Sequence, residues 1–364
     1  MSSFMVAAGV AAVLAYGFTI PVRHLALRTG LVDRPGERRV HLKPIPSGGG
    51  VAIHAAFWLT VLFSQGLFAP RVPAGMVSLF WGSTAIVLIG LLDDRFELRP
   101  LLKFAGQLAV AVLVVRHGHR IEFVTNPFGG GMLYLGLWGY PLTVFWIVAI
   151  TNMVNFIDGL DGLAAGVSAI ACVPLAVVAL QMNRPSIALL TFILLGSISG
   201  FLPHNFNPAR IFMGDTGAMF LGFMLGVIAV DGALKGAATI ALTIPILALG
   251  VPAFDVLFAV IRRVAAGRPF YEADQGHLHH RLLALGLTQR QAVLTLYVIS
   301  GLLGLGAVWS LGLKEWQGIV VFALILLCAI VLGQRVGVLP SVYHQGAWAD
   351  SEYGQGTSGD DRHS

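Results

Sequence analysis

Aspartates able to hold a metal ion or a phosphate group collect at a few points in this sequence. Asp93 and Asp94 stand together in GLLDDRFELRP, Asp158 and Asp161 in TNMVNFIDGLDGLAAG, and Asp215 in FNPARIFMGDTGAMF; Asp255 follows later. Each of them ends, starts or interrupts a long apolar run. A carboxylate at such depth costs several kcal/mol unless it is paired, hydrated or bound to a metal. Two or more carboxylates converging from separate helices suit a hard divalent cation, Mg²⁺ beside phosphates, with Mn²⁺ as a substitute. Helix capping is the competing account, because an Asp in a first turn satisfies orphan amides and the helix dipole. Capping explains any one of these residues as well as metal binding does, but it explains all of them together poorly. Asp158 and Asp161 are three apart, so a single helical turn would put them on one face. The adjacent pair Asp93–Asp94 points about 100° apart on a helix and meets a common cavity only at a helix end.

Other polar groups sit in the same neighbourhoods. His277, His279 and His280 with Arg281 form a dense knot in DQGHLHHRLL. Zinc is a poor fit to them, since the set has no Cys and no i, i+4 His pair around a Glu. Anion recognition, with imidazoles and Arg donating to a pyrophosphate, fits better. Asn152, Asn155, Asn205 and Asn207 need hydrogen-bond partners at a membrane edge, which a sugar or base amide or a neighbouring helix would supply. The basic segment DRPGERRVHLKPIPSGGG contains Lys43. Its cations serve as topology signals or contacts to anionic head groups, whereas the PIPSGGG entry into the next apolar run is left unexplained by that reading.

The elements that must position these groups are membrane helices. Of 364 residues, 56% are hydrophobic and 11% charged. A soluble domain carries about 25% charged residues, so a water-facing surface is excluded, and the apolar runs repeatedly reach the roughly 20 residues of a bilayer span. The expected fold is an all-α integral membrane protein with eleven spans: 4–20, 51–68, 74–92, 102–115, 139–156, 163–181, 186–203, 211–230, 237–261, 292–312 and 317–334. Residues 120–138 alternate around a Gly-rich turn and predict a small surface hairpin. Residues 1–336 then form the membrane domain, and 337–364 a polar, disordered cytoplasmic tail. With the N-terminus outside and the C-terminus cytoplasmic, seventeen Lys and Arg fall inside and six outside, as the positive-inside rule requires. All the aspartates named above then face the cytoplasm. Both cysteines, Cys172 and Cys328, lie in apolar runs, which excludes a disulfide framework.

The blocks LLDD, NFIDGLDGLAAG, FMGDTGAMFLG and DQGHLHHRLL, with DRPGERRVHLKPIPSGGG, resemble the polyprenyl-phosphate N-acetylhexosamine-1-phosphate transferases (WecA/MraY-like) in composition and order from residue 33 to 283. The resemblance implies an enzyme of the bacterial plasma membrane, with its active site facing the cytoplasm. It would transfer an aminosugar 1-phosphate from a UDP-aminosugar to undecaprenyl phosphate, releasing UMP and starting a cell-envelope polysaccharide. It implies catalytic roles for Asp93, Asp94 and Asp158, and Mg²⁺ ligation by Asp215 with Asp158 beside the metal. Gly159, Leu160, Asp161, Asn205 and Phe212 would line a uridine pocket. Lys43, Lys103 and Asn155 join the substrate-binding set, and His277, His279, His280 and Arg281 would meet the pyrophosphate and sugar. HLHHR and RPGERRVHLKPIP are closer to the GlcNAc-type branch, which favours UDP-GlcNAc over UDP-MurNAc-pentapeptide or a FucNAc/QuiNAc-type sugar. Asp93 is expected as a base, a positioner, or the nucleophile of a two-step route. Membrane lipids are the other expected partners and nucleic acid is not one; monomer and homodimer both stay open. A transporter of an anionic sugar nucleotide is the rival from another class, but it would show midplane charges and paired repeats.

Overall fold

The computed structural model describes residues 1–33, 44–67, 75–125, 132–234, 243–265, 277–310 and 315–335. The chain runs α1 (Ser2–Thr29), β1 (Val32–Asp33), β2 (Ile45–Pro46), α2 (Gly50–Leu67), α3 (Met76–Phe96), α4 (Pro100–Arg116), β3 (Phe123–Thr125), β4 (Met132–Tyr134) and α5 (Gly139–Phe156). It continues with α6 (Leu163–Gln181), α7 (Pro185–Asn205), α8 (Gly214–Ala229), α9 (Thr243–Ala248), α10 (Gly250–Ala265), α11 (Leu278–Ala284), α12 (Gln289–Ser310) and α13 (Glu315–Arg335).

Helix α8 is the axle of the bundle. Every residue from Thr216 to Ala229 is buried, as an all-round apolar helix requires, and α2, α3, α5 and α6 pack around it. α1 lies along α7, and α12 along α6. Outward-facing positions stay apolar: Val13, Trp81, Leu88, Phe145, Leu302 and Leu305 are among the exposed large side chains, a surface suited to lipid rather than water. Among the described residues, seven helices are long and apolar enough to cross a membrane, so the chain is a multi-pass membrane protein.

Ten of the eleven expected spans overlap one helix each, and seven of these helices, α1, α3, α5, α6, α7, α8 and α12, are the ones of spanning length and apolarity; the first extends to Thr29 and stops at Gly30 in the left-handed conformation. In the ninth, 237–261, the described residues from 243 on form α9 and α10 instead of one helix. Pro252 lies in the first turn of α10, where a missing N–H leaves no bond unmade, so the apolar run continues while the helix restarts. The expected hairpin is present: Phe123 pairs with Tyr134, Val124 with Leu133 and Thr125 with Met132 in antiparallel register. A second, two-residue ribbon pairs Val32 with Pro46 and Asp33 with Ile45. The tail expected over 337–364 and Lys43 lie outside the described residues.

Candidate active site

Asp93 and Asp94 occupy the last turn of α3, which ends where Glu97 turns left-handed and donates its N–H back to Asp93 O at 2.9 Å. Adjacent positions diverge on the helix, and the two carboxylates address different partners. Asp93 turns toward α4, accepting from Leu98 N–H at 2.8 Å and lying 2.7 Å from Lys103 Nζ. Asp94 turns toward α8, accepting the N–H groups of Asp215 at 2.9 Å and Thr216 at 3.2 Å and the Thr216 hydroxyl at 2.6 Å. It thus caps the N-terminus of a helix other than its own. Gly214, at φ 71°, precedes that turn, and a Cβ there would collide with the Asp94 carboxylate and the Ser47 hydroxyl.

Lys103 is the hub. Its ammonium lies 2.7 Å from both Asp93 and Asp215 and donates to Asn155 Oδ1 at 3.2 Å, tying α3, α8 and α5 to α4. The Asn155 amide donates to the same Asp215 oxygen that Lys103 contacts.

Asp158 and Asp161 do not share a helical face. α5 ends at Phe156 and α6 begins at Leu163, so residues 157–162 form a tight turn, with Gly162 at φ 79°. The expected single helical turn is corrected by these glycines, which favour the turn over continuation. Asp158 faces the other acids: burial, then the charges of Asp215, Asp94 and Asp161, hold its pKa well above the usual carboxylate range. Asp161 faces the loop after α7, accepting from Asn207 Nδ2 at 2.9 Å and Ala209 N–H at 3.0 Å. Asn207 in turn donates to Gln289 Oε1 at 2.6 Å.

These elements enclose a cavity of about 1070 Å³. Asp93, Asp94, Asn155, Asp158, Gly159, Leu160, Asp161, Asn205, Phe212 and Asp215 all line it, which brings together ten of the residues singled out in the sequence. Asn205 is 3% exposed; its Nδ2 donates to Ile211 O at 3.1 Å, while its Oδ1 has no hydrogen-bond partner among the described residues. A buried carbonyl left in this way is a place for a ligand N–H. Ser47, Arg95 and Gln289, none of them a candidate site residue in the sequence, also form the walls. Ser47 belongs to PIPSGGG, and the structure accounts for that segment. Phe212 N–H donates to Pro46 O at 2.8 Å, Gly49 N–H to Phe212 O at 2.9 Å and Gly50 N–H to Met213 O at 3.0 Å. Gly50 then abuts the backbone of Gly217 on α8, so the glycines let two helix starts meet at the cavity.

The His knot lies behind this site. Among the described residues His277, His279, His280 and Arg281 are not cavity walls. Asp255 holds the segment, accepting Leu278 N–H at 2.7 Å and lying 2.9 Å from His277 Nδ1. His279 is 3% exposed and sits against Gly159, where a Cβ would come within 2.6 Å of its Nε2. Burial, with His280 adding to it, pulls its pKa down to about 4. It is neutral at neutral pH and packs under the 157–162 turn. The ring of His280 lies tilted against it, 4.2 Å between centroids.

Among the described residues no three His, Cys, Asp or Glu side chains are gathered to hold a metal by themselves. The cavity does offer hard oxygen donors, among them Asp93, Asp158, Asp215 and Asn155. Mg²⁺ ordinarily takes one or two carboxylates and completes its shell with water and substrate phosphate, so the donor set fits a cation held jointly with a phosphorylated ligand.

A family model described as glycosyl transferase family 4 matches residues 76–233. The chain is 39% identical over 318 residues to a probable undecaprenyl-phosphate N-acetylglucosaminyl 1-phosphate transferase of Bacillus subtilis, covering 87% of this chain and 88% of the relative. It is 38% identical to the decaprenyl-phosphate N-acetylglucosaminephosphotransferase of Mycolicibacterium smegmatis, over 88% of this chain and 86% of that one. With the undecaprenyl-phosphate alpha-N-acetylglucosaminyl 1-phosphate transferase of Escherichia coli K12 it shares 28% identity over 84% of each.

Proposed function

The chain belongs to the polyprenyl-phosphate N-acetylhexosamine-1-phosphate transferase family and is a membrane phosphotransferase; from that premise we propose that it transfers N-acetylglucosamine 1-phosphate from UDP-GlcNAc to undecaprenyl phosphate in the presence of Mg²⁺. The observation that carries this is the convergence of Asp93, Asp158 and Asp215 in one cavity, with the Lys103 ammonium held against Asp93 and Asp215 and the open Asn205 carbonyl in the wall.

A lipid phosphate oxygen forms a bond to the phosphorus that carries the sugar. The bond from that phosphorus to the bridging oxygen breaks, and UMP leaves with the electron pair. One phosphoanhydride replaces another, so the equilibrium is near balance and the barrier is repulsion between two anions. When bound, Mg²⁺ would offset that repulsion; Asp215, with Asp158, would hold it. Lys103 steadies Asp93 and Asp215 and brings a positive charge to the same corner. The Asn205 Oδ1 accepts an N–H of the uracil ring. Asp161, through Asn207 and Ala209, fixes the loop that bears Phe212. A phosphate monoester has its second pKa near 6 and is mostly dianionic at neutral pH, which makes Asp93 a positioner of the lipid phosphate rather than an obligatory base. Asp94 acts through α8, setting the height of Asp215. The seventeen-to-six distribution of Lys and Arg supports placing the cavity on the cytoplasmic side of a bacterial plasma membrane.

The test is purified protein in detergent with Mg²⁺, undecaprenyl phosphate and radiolabelled UDP-GlcNAc, following UMP release and label in the lipid phase, with Asp215→Asn alongside. Label in lipid that Asp215→Asn abolishes is expected. Transfer from another UDP-aminosugar alone would correct the donor, and inactivity with every donor would sink the reading.

A further inference from the structure

Along the α1–α7 seam the register is regular. Gly196 and Gly200 of α7 meet the backbone of Ala8 and Ala12 of α1 so closely that neither glycine has room for a Cβ. Continuing by four residues on each helix pairs His204 with Tyr16, and there the small residues end. Two rings, 4.5 Å between centroids, now wedge into the seam in place of the close backbone contact. Just beyond the wedge stand Arg23 on α1 and Arg210 on the loop after α7, whose N–H donates to His204 O at 2.8 Å. Both guanidinium charges lie near enough to act on the His204 ring.

This cluster lacks its counter-charge. Among the described residues no carboxylate pairs with Arg23 or Arg210. Arg23 Nε is buried without a hydrogen-bond partner, and so is Nε2 of His204, which is only 7% exposed. A buried donor or ring nitrogen left open is destabilising unless a ligand completes it. The approach to the wedge is apolar: Tyr16 is 49% exposed, and Ile20, one turn on along the same face, is exposed too. A soluble anion would meet hydrocarbon there, whereas a phosphate carried on acyl chains arrives with both parts matched.

We propose that Tyr16, Arg23, His204 and Arg210 form a second anion site, at the membrane interface and separate from the catalytic cavity, which takes the phosphate headgroup of an anionic phospholipid. Arg23 and Arg210 clasp the phosphate, and the Tyr16–His204 wedge keeps the seam open for it.

The experiment is native mass spectrometry of the full chain released from nanodiscs of equal parts phosphatidylglycerol and phosphatidylcholine. The wild type is expected to retain phosphatidylglycerol in preference, and the Arg23→Gln/Arg210→Gln variant to lose roughly tenfold or more of that preference. Arg23→Lys/Arg210→Lys keeps the charge and retains most of it, which separates lost binding from lost folding. Equal retention of both lipids by the wild type, or an unchanged preference in the double Gln variant, overturns the proposal. So does displacement of the lipid by millimolar inorganic phosphate, which would make this a site for soluble anions. Transferase activity is not the readout, so failure here is distinct from failure of the proposed reaction.

Discussion

Replacing Asp94 by Asn separates two carboxylates that the sequence presents as a pair. Asp94 Oδ1 accepts from Asp215 N–H, and Oδ2 from the amide and hydroxyl of Thr216. An Asn side chain can keep the two Thr216 bonds through its single carbonyl, but its NH₂ then faces the Asp215 N–H. One hydrogen bond to an anion is lost, and a donor is left opposing a donor. A hydrogen bond to a charged group contributes about 1.5–3 kcal/mol, so Asp94→Asn should destabilise the protein by roughly 2–3 kcal/mol. At 2–4 °C per kcal/mol for chains of this order, that lowers Tm by roughly 4–12 °C. Because the lost bond holds the residue bearing the proposed metal ligand, kcat falls as well. Asp93→Asn can keep Leu98 N–H on its carbonyl but turns its NH₂ on the Lys103 ammonium, so it should abolish transfer and lower Tm by a similar roughly 4–12 °C. Thermal melts in detergent alongside the lipid-label assay measure both. An Asp94→Asn protein that melts with the wild type yet is inactive would refute the capping argument and restore Asp94 to the chemistry.

Asn205→Leu fills the cavity wall without offering an acceptor, and should raise KM for the nucleotide sugar by about 10–100-fold, about 1–3 kcal/mol, while kcat changes little; steady-state kinetics decide it. Lys103→Gln should cost kcat at least about 100-fold, since an ammonium between two carboxylates is not replaced by a neutral amide, with Lys103→Arg restoring only part of it. The unfolded chain protonates His279 near pH 6.5 and the fold only near 4. Between those values the unfolded state binds more protons, so stability falls as pH drops through this window, by on the order of 3 kcal/mol. A plot of Tm against pH should show that slope, and His279→Gln should flatten it. Chelation with EDTA should remove activity, and Mg²⁺ or Mn²⁺ should return it; full activity in EDTA would remove the metal from the proposed function.

Much of this site is legible because membrane immersion makes polar residues expensive. Asp93, Asp158, Asp161 and Asp215 stand out where apolar runs end, and a helix end is where such groups can gather. The chain pattern alone therefore gives the bundle, the surface hairpin and the acidic cluster. It also gives the family, through blocks that keep their order over some 250 residues. What it does not give is direction. Whether Asp94 points into the cavity or onto α8 depends on where α8 begins relative to α3, which is set by the packing of Gly50 against Gly217 and by the open conformation of Gly214. The same holds for His279, an anion-binding candidate by composition that burial against Gly159 makes neutral. Gln289 lies in no quoted motif and Arg95 only flanks the Asp pair; they reach the cavity because α12 and the end of α3 border it. Sequence determined which residues must avoid lipid and so be together at helix ends; the tertiary structure decided which of them face substrate and which hold the others, because that choice lies in side-chain directions a one-dimensional pattern does not contain.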